Sequence, residues 1–214
     1  RTIPMLPEKL SNNLCSLKPN VDRLTYSVII KFDSNLSIVD YWIGRTVIHS
    51  KKRFTYDEAQ ESINNKNGLF HEKLNILNEI AKNIRIKRFK SGSFNFSSNE
   101  IKFRLDKEKK PIEVFRKKRK DTHKMVEEYM LLANKLVAEK IISIEKKENK
   151  PYPFVYRIHE DPEESKIGEL KNYIKQFGYT INTNEGSLAN SLNGLMKEIK
   201  GEPEERSVEK FAIR

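Results

Sequence analysis

The stretch HKMVEEYMLLANKLVAEKII, His123 to Ile142, decides how the rest of the chain is read. It holds no glycine or proline, and its apolar side chains return every three or four positions, which specifies one long helix starting near Asp121. At about 100° per residue, Met125, Tyr129, Leu132 and Leu136 share a face, with Val126, Met130, Ala133 and Val137 beside them. The adjacent glutamates then part company. Glu128 falls with Lys124, Lys135 and Glu139 on a charged stripe and is expected in solvent, helped by Lys124 one turn earlier. Glu127 falls in a row with His123, Leu131, Asn134 and Ala138, flanked by apolar positions, and is expected to be half-buried. A carboxylate there needs a partner, because an uncompensated buried charge costs several kcal/mol. Two readings stay open: an internal salt bridge or backbone hydrogen bond, or a polar contact aimed into a cavity with Asn134 on the same line.

Directly before this helix stands RKKRK, Arg116, Lys117, Lys118, Arg119 and Lys120. Lys plus Arg total 41 against 30 Asp plus Glu, a formal charge of +11, and the segment Lys82 to Lys120 alone holds 15 basic and 4 acidic residues. The whole surplus therefore lies in one stretch, the footprint of a surface facing a polyanion. RKKRK is read either as a solvated rim or as a contact to phosphates. Within the same segment Phe94 and Phe96 alternate in KSGSFNF, so a strand would point both to one side. They are either core or a stacking platform, since cations interleaved with aromatic rings suit single-stranded nucleic acid.

Further out, the lead-in contains Pro4, Pro7 and Pro19 and shows no helical period. LTYSVIIKF and LSIVDYWIGRTVIHS, separated by DSN, predict an antiparallel hairpin. Thr55 and Glu58 form a capping-box pattern before YDEAQESIN, and Phe70, Leu74, Leu77, Ile80 and Ile84 mark a second helix. SFNF, IKFRL and IEVF predict short strands, and IRIKRFK alternates rather than forming a helical apolar face, which argues against a membrane-surface role for the basic segment. YRIHE, with Arg157 and His159, also reads as strand-like, its histidine as a structural residue. Asp161, Pro162 and Glu164 at the N-cap, N1 and N3 positions, with Gly178 as the C-cap, bound another helix, and SLANSLNGLMKEI and EERSVEKFAI predict two more. The fold class is α+β: antiparallel strand groups packed with about five or six helices.

The single cysteine, Cys15, excludes an intrachain disulfide framework and fits a reducing cytoplasm. No run of 18 apolar residues occurs, so no membrane partner is expected, and a monomer is. Neither a metal-ligand cluster nor a nucleophile motif or phosphate-binding glycine loop is present. The residues show how to hold RNA or DNA and not how to cut it.

Four strings carry a family resemblance: IPMLPEKLSNNLCSLKPNVDRL from Ile3, RFTYDEAQ from Arg53, HKMVEEYMLLAN from His123 and YRIHEDP from Tyr156. In this order and spacing they resemble the RNB catalytic domain of the ribonuclease R and ribonuclease II family, with wording closer to ribonuclease R. The resemblance implies that residues 1–214 are an internal portion of a single RNB domain. The whole protein would then be a processive 3′-to-5′ exoribonuclease that hydrolyses single-stranded RNA to nucleoside monophosphates with Mg²⁺ held by aspartates. It places the stacking phenylalanine at Phe96 and the glutamate contacting the terminal nucleotide at Glu127. The family's aspartate cluster lies upstream of Arg1, and a further basic motif and an S1 domain lie downstream of Arg214. The chain alone is thus expected to be inert, with no catalytic residue of its own. A rival expectation is a non-catalytic RNA-binding adaptor with the same fold.

Overall fold

Both strand pairs are closed by an aspartate that organises its own turn. The computed structural model describes residues 3–93, 101–116, 118–158, 162–183 and 188–212, and these divide into two compact units: residues 1–83 with 119–154, and residues 84–118 with 155–214. In the first unit β1 (Asp22–Phe32) pairs antiparallel with β2 (Ile38–His49). At the turn, Asp33 Oδ1 accepts from the amides of Asn35 (2.9 Å) and Ser37 (2.8 Å), and Leu36 takes a left-handed φ of 56°. The Leu36 carbonyl also accepts from the Asn83 amide at 3.0 Å, which ties the turn to a helix of the same unit. On one face of the ribbon Thr25, Ser27 and Thr46 share hydroxyl hydrogen bonds of 2.6–3.2 Å.

The lead-in contains one wide helical turn, Leu10–Leu14, closed by Cys15 N donating to Leu10 O at 2.9 Å. Helix α1 (Tyr56–Asn64) begins with the expected capping box: Glu58 N donates to Thr55 Oγ1, and Thr55 N donates to Glu58 Oε2. The Thr55 amide, joined by the Thr55 hydroxyl, donates to the Glu58 carboxylate, favours its charged form and holds Glu58 below its ordinary value. Helix α2 (His71–Lys90) follows, and α3 (Asp121–Glu148) is the long helix read from the sequence. Ala59, Leu74, Ala81 and Met125 form the unit's buried core, with Phe54, Ile63 and Tyr129 packed against it.

The second unit holds the hairpin β3 (Ile101–Leu105) and β4 (Pro111–Arg116), whose turn repeats the first device: Asp106 Oδ1 accepts from Glu108 N (2.9 Å) and Lys110 N (2.8 Å). Helices α4 (Glu164–Lys175), α5 (Leu188–Glu198) and α6 (Glu205–Ala212) enclose the other core. Leu170, Ile174, Ile181, Leu192, Leu195, Ile199 and Val208 are buried there, and Tyr173 stacks on Phe211 with ring centroids 4.7 Å apart. Gly178, at φ 86°, closes α4: its amide reaches Lys175 O and the amide of Tyr179 reaches Ile174 O, the paired bonds of a Schellman ending.

The α+β reading and its hairpins hold, with three differences. IRIKRFK, read as alternating rather than helical, forms the last turns of α2, where Lys87, Arg88 and Lys90 complement the helix dipole and Gly92, at φ 98°, supplies another Schellman ending. Tyr156 to Ile158 pair with no strand. Helix α4 starts after Glu163, later than the proline signal predicts. Phe94, Phe96, Lys117, His159 and Asp161 lie outside the described residues. Ile174 is fully buried, so Ile174→Ala should destabilise the second unit by about 2–5 kcal/mol; urea unfolding followed by a probe in α4–α6 checks this, and an unchanged midpoint would contradict the packing.

Candidate nucleic-acid interface

The position of every side chain on α3 follows from how its first turn meets α1. Thr122 is 1% exposed; its hydroxyl donates to Tyr56 O at 3.0 Å, and its amide is met by Gln60 Oε1 at 3.2 Å. One of the unpaired amides at the helix start is thereby satisfied from α1. The amide of Lys120 donates to His123 Nδ1 at 3.2 Å, and the His123 ring stacks on Tyr56 with centroids 4.1 Å apart. Lys120 Nζ pairs with Asp57, and Asp121 lies between Lys82 (3.6 Å) and Lys124 (3.4 Å). One turn further, Tyr129 donates to Leu77 O at 3.0 Å, and its burial pushes the phenol up to about 12.

This docking corrects the reading of the glutamate pair. Glu128, expected in solvent, is 1% exposed. Met125 and Leu136 are buried as expected, yet Val126 and Met130, the second apolar row, are 46% and 55% exposed. The helix is rotated so that its buried arc runs from Thr122 through Met125 to Glu128, and Glu128 lies only about 60° from Met125 on the wheel. The sequence signal for this was Thr122, a polar residue whose hydroxyl and amide both bond to α1.

Glu127 faces the other way. Its side chain is 30% exposed and its carboxylate pairs with Arg119, which satisfies the salt-bridge alternative. Asn134 is exposed two turns along the same face. Of the RKKRK run, Arg119 and Lys120 are turned onto carboxylates of their own unit, whereas Arg116 and Lys118 are exposed and form no ion pair among the described residues. The division between units falls within this run, between Lys118 and Arg119.

Chemically, the outward face of α3 offers a guanidinium beside a carboxylate. The first can take phosphate oxygens through two parallel donors, and the second can accept from hydroxyls. Among the described residues, no group of three or more His, Cys, Asp or Glu could hold a metal ion.

Two measurements separate the glutamates. Glu128→Ala should cost about 2–4 kcal/mol by removing a buried side chain that is not free of partners, while Glu127→Ala should cost less than about 1 kcal/mol; equal losses in denaturant unfolding would contradict the observed rotation. Asp57 is held below its ordinary value of 3.8 mainly by the hydrogen bond and charge of Lys120. Its contribution is therefore full above that value and is lost as the pH falls through the lowered one. Asp57→Asn should flatten the acid limb of the stability curve, and an unchanged limb would show the pair to be inconsequential.

The RNB domain matches residues 1–214. The chain is 33% identical to ribonuclease R of Thermotoga maritima over 99% of its own length, and it spans 30% of that relative. It is similar in structure to Mycoplasma genitalium RNase R in complex with ribose methylated single-stranded RNA, with a TM-score of 0.81 at 25% identity, covering 98% of this chain and 33% of that one. The fold also matches yeast Ssd1, a pseudonuclease, with a TM-score of 0.69 at 21% identity, covering 96% and 24%. With its two Asp-organised hairpins, its long α3 and a match that runs end to end, this chain belongs to the RNB domain family.

Proposed function

We propose that this chain is part of a processive 3′-to-5′ exoribonuclease of the ribonuclease R type, and that the outward face of α3 meets the last nucleotide of a single-stranded RNA. The observation that carries this reading is the Arg119–Glu127 pair standing outward from α3 in a chain that belongs to the RNB family. An arriving RNA end supplies both groups with partners: a phosphate for Arg119, and ribose hydroxyls for Glu127, whose 2′-OH distinguishes RNA from DNA. Asn134 extends this surface along the helix. Phe96 provides the base-stacking ring, and Arg116, Lys117, Lys118 and Lys120 follow the backbone. A solved relative bound to single-stranded RNA supports the partner class.

Hydrolysis in this reading belongs to the whole protein, since the chain spans about a third of the relatives it matches. Among the described residues no group of three or more His, Cys, Asp or Glu could hold a Mg²⁺ ion, and no step here runs through the metal. What these residues do is bind the strand, hold its end in place and neutralise its charge. We place the protein in the cytoplasm as a monomer; no helix of the described residues is long and apolar enough to cross a membrane. The adaptor reading keeps the same RNA contacts and drops the chemistry; yeast Ssd1, which shares the fold, is a pseudonuclease.

The test uses labelled single-stranded RNA with Mg²⁺. The 214-residue chain should bind it, with affinity falling steeply as salt rises, and should release no mononucleotide. In the full-length protein, Glu127→Ala should slow degradation or lengthen the end product about tenfold or more in yield, and Arg119→Ala should weaken binding by about 1–3 kcal/mol. Mononucleotide release by the isolated chain, or a full-length Glu127→Ala enzyme with unaltered products, would overturn the assignment. Full-length protein that binds RNA and never shortens it would establish the adaptor instead.

A further inference from the structure

The second unit contains a cleft of about 780 Å³ between the last turns of α2 and helices α5 and α6. Its volume lies within the range of small-molecule sites, about 300–1,000 Å³. Ile86, Phe89 and Met196 give it an apolar wall, while Lys90, Lys197 and Lys200 stand along it. None of these three lysines forms an ion pair among the described residues, and the amide of Asn190, also on the lining, makes no hydrogen bond among them. The other charges there are engaged: Arg85 lies over the Phe89 ring at 4.7 Å, Glu205 accepts from Gly201 N at 2.9 Å, and Glu209 is also partnered.

Gly194 adds an independent observation. It lies inside α5, where glycine weakens a helix relative to alanine. Its φ is not left-handed, and a Cβ built on it would meet nothing within 4 Å. Neither backbone geometry nor close packing therefore asks for glycine. The residue does line the cleft, so the missing side chain leaves that wall open.

We propose that this cleft binds a free nucleoside polyphosphate, with the base against Ile86, Phe89 and Met196, an amide of Asn190 on the base edge, and the phosphates among Lys90, Lys197 and Lys200. Lys90, Lys197 and Lys200, with Arg85 against Glu205 and Glu209, leave the lining net positive and so suited to a di- or triphosphate, and the apolar wall suits a planar base. This site uses no residue of α3 and does not depend on the RNA reading.

The probe is ADP, titrated into the isotopically labelled 214-residue chain and followed by amide NMR. Saturable shifts at Asn190, Met196 and Lys197, with a Kd below about 1 mM, are expected. Lys197→Gln with Lys200→Gln should weaken binding at least tenfold with the fold retained by circular dichroism. Gly194→Ala should raise the melting temperature yet weaken ADP several-fold, and Gly194→Leu should abolish binding; a purely structural glycine would move stability alone. Absence of saturation, shifts confined to residues 119–127, or tighter binding of a short single-stranded RNA than of ADP at this cleft would overturn the proposal.

Discussion

The bond between the Thr122 hydroxyl and the Tyr56 carbonyl, with the Gln60 amide on the neighbouring N–H, sets the rotation of α3, and the first unit is arranged around that choice. A helix with two adjacent apolar rows can present either one to a core. Polar groups at its first turn decide, because a buried hydroxyl or amide left without a partner costs more than a methyl group left in water. Once Thr122 is fixed, Met125 joins Ala59, Leu74 and Ala81 in the core, Glu128 is carried inward, and Glu127 is carried out to Arg119. The Lys120–Asp57 pair and the His123–Tyr56 stack reinforce the same junction.

That junction explains which parts of the structure were legible in advance. Hairpins, capping box and helix endings depend on residues close in sequence, so DSN, Thr55 with Glu58, and Gly178 announced their elements correctly. The burial of Glu128 depends on a partner helix some sixty residues away, and a helical wheel gives angles between side chains without saying which angle faces the core. IRIKRFK was misread for a different reason: four basic residues and three apolar ones alternate, but the Gly92 ending and the cationic last turn are helix signals that outweigh a short period-two pattern. The family could be read from four strings spread along the chain, and the same resemblance supplied the roles expected of Phe96 and Glu127, which spacing alone had left open.

The basic surplus acquires a division of labour. Arg119 and Lys120 sit on carboxylates of their own unit, pre-oriented and partly neutralised, whereas Arg116, Lys118 and the lysines of the α2–α5 cleft form no ion pair among the described residues. Paired cations can exchange a carboxylate for a phosphate with little loss, which favours a fixed geometry at one point. Unpaired cations raise local anion concentration over a wider area and hold nothing in register.

Carbodiimide labelling of carboxylates, resolved by tandem mass spectrometry with and without single-stranded RNA, addresses the rotation of α3 and its consequence together. The account predicts that Glu127 is modified in the free chain and protected when RNA is bound, while Glu128 remains unmodified in both. Ready modification of Glu128, or labelling of Glu127 that RNA leaves unchanged, would contradict it.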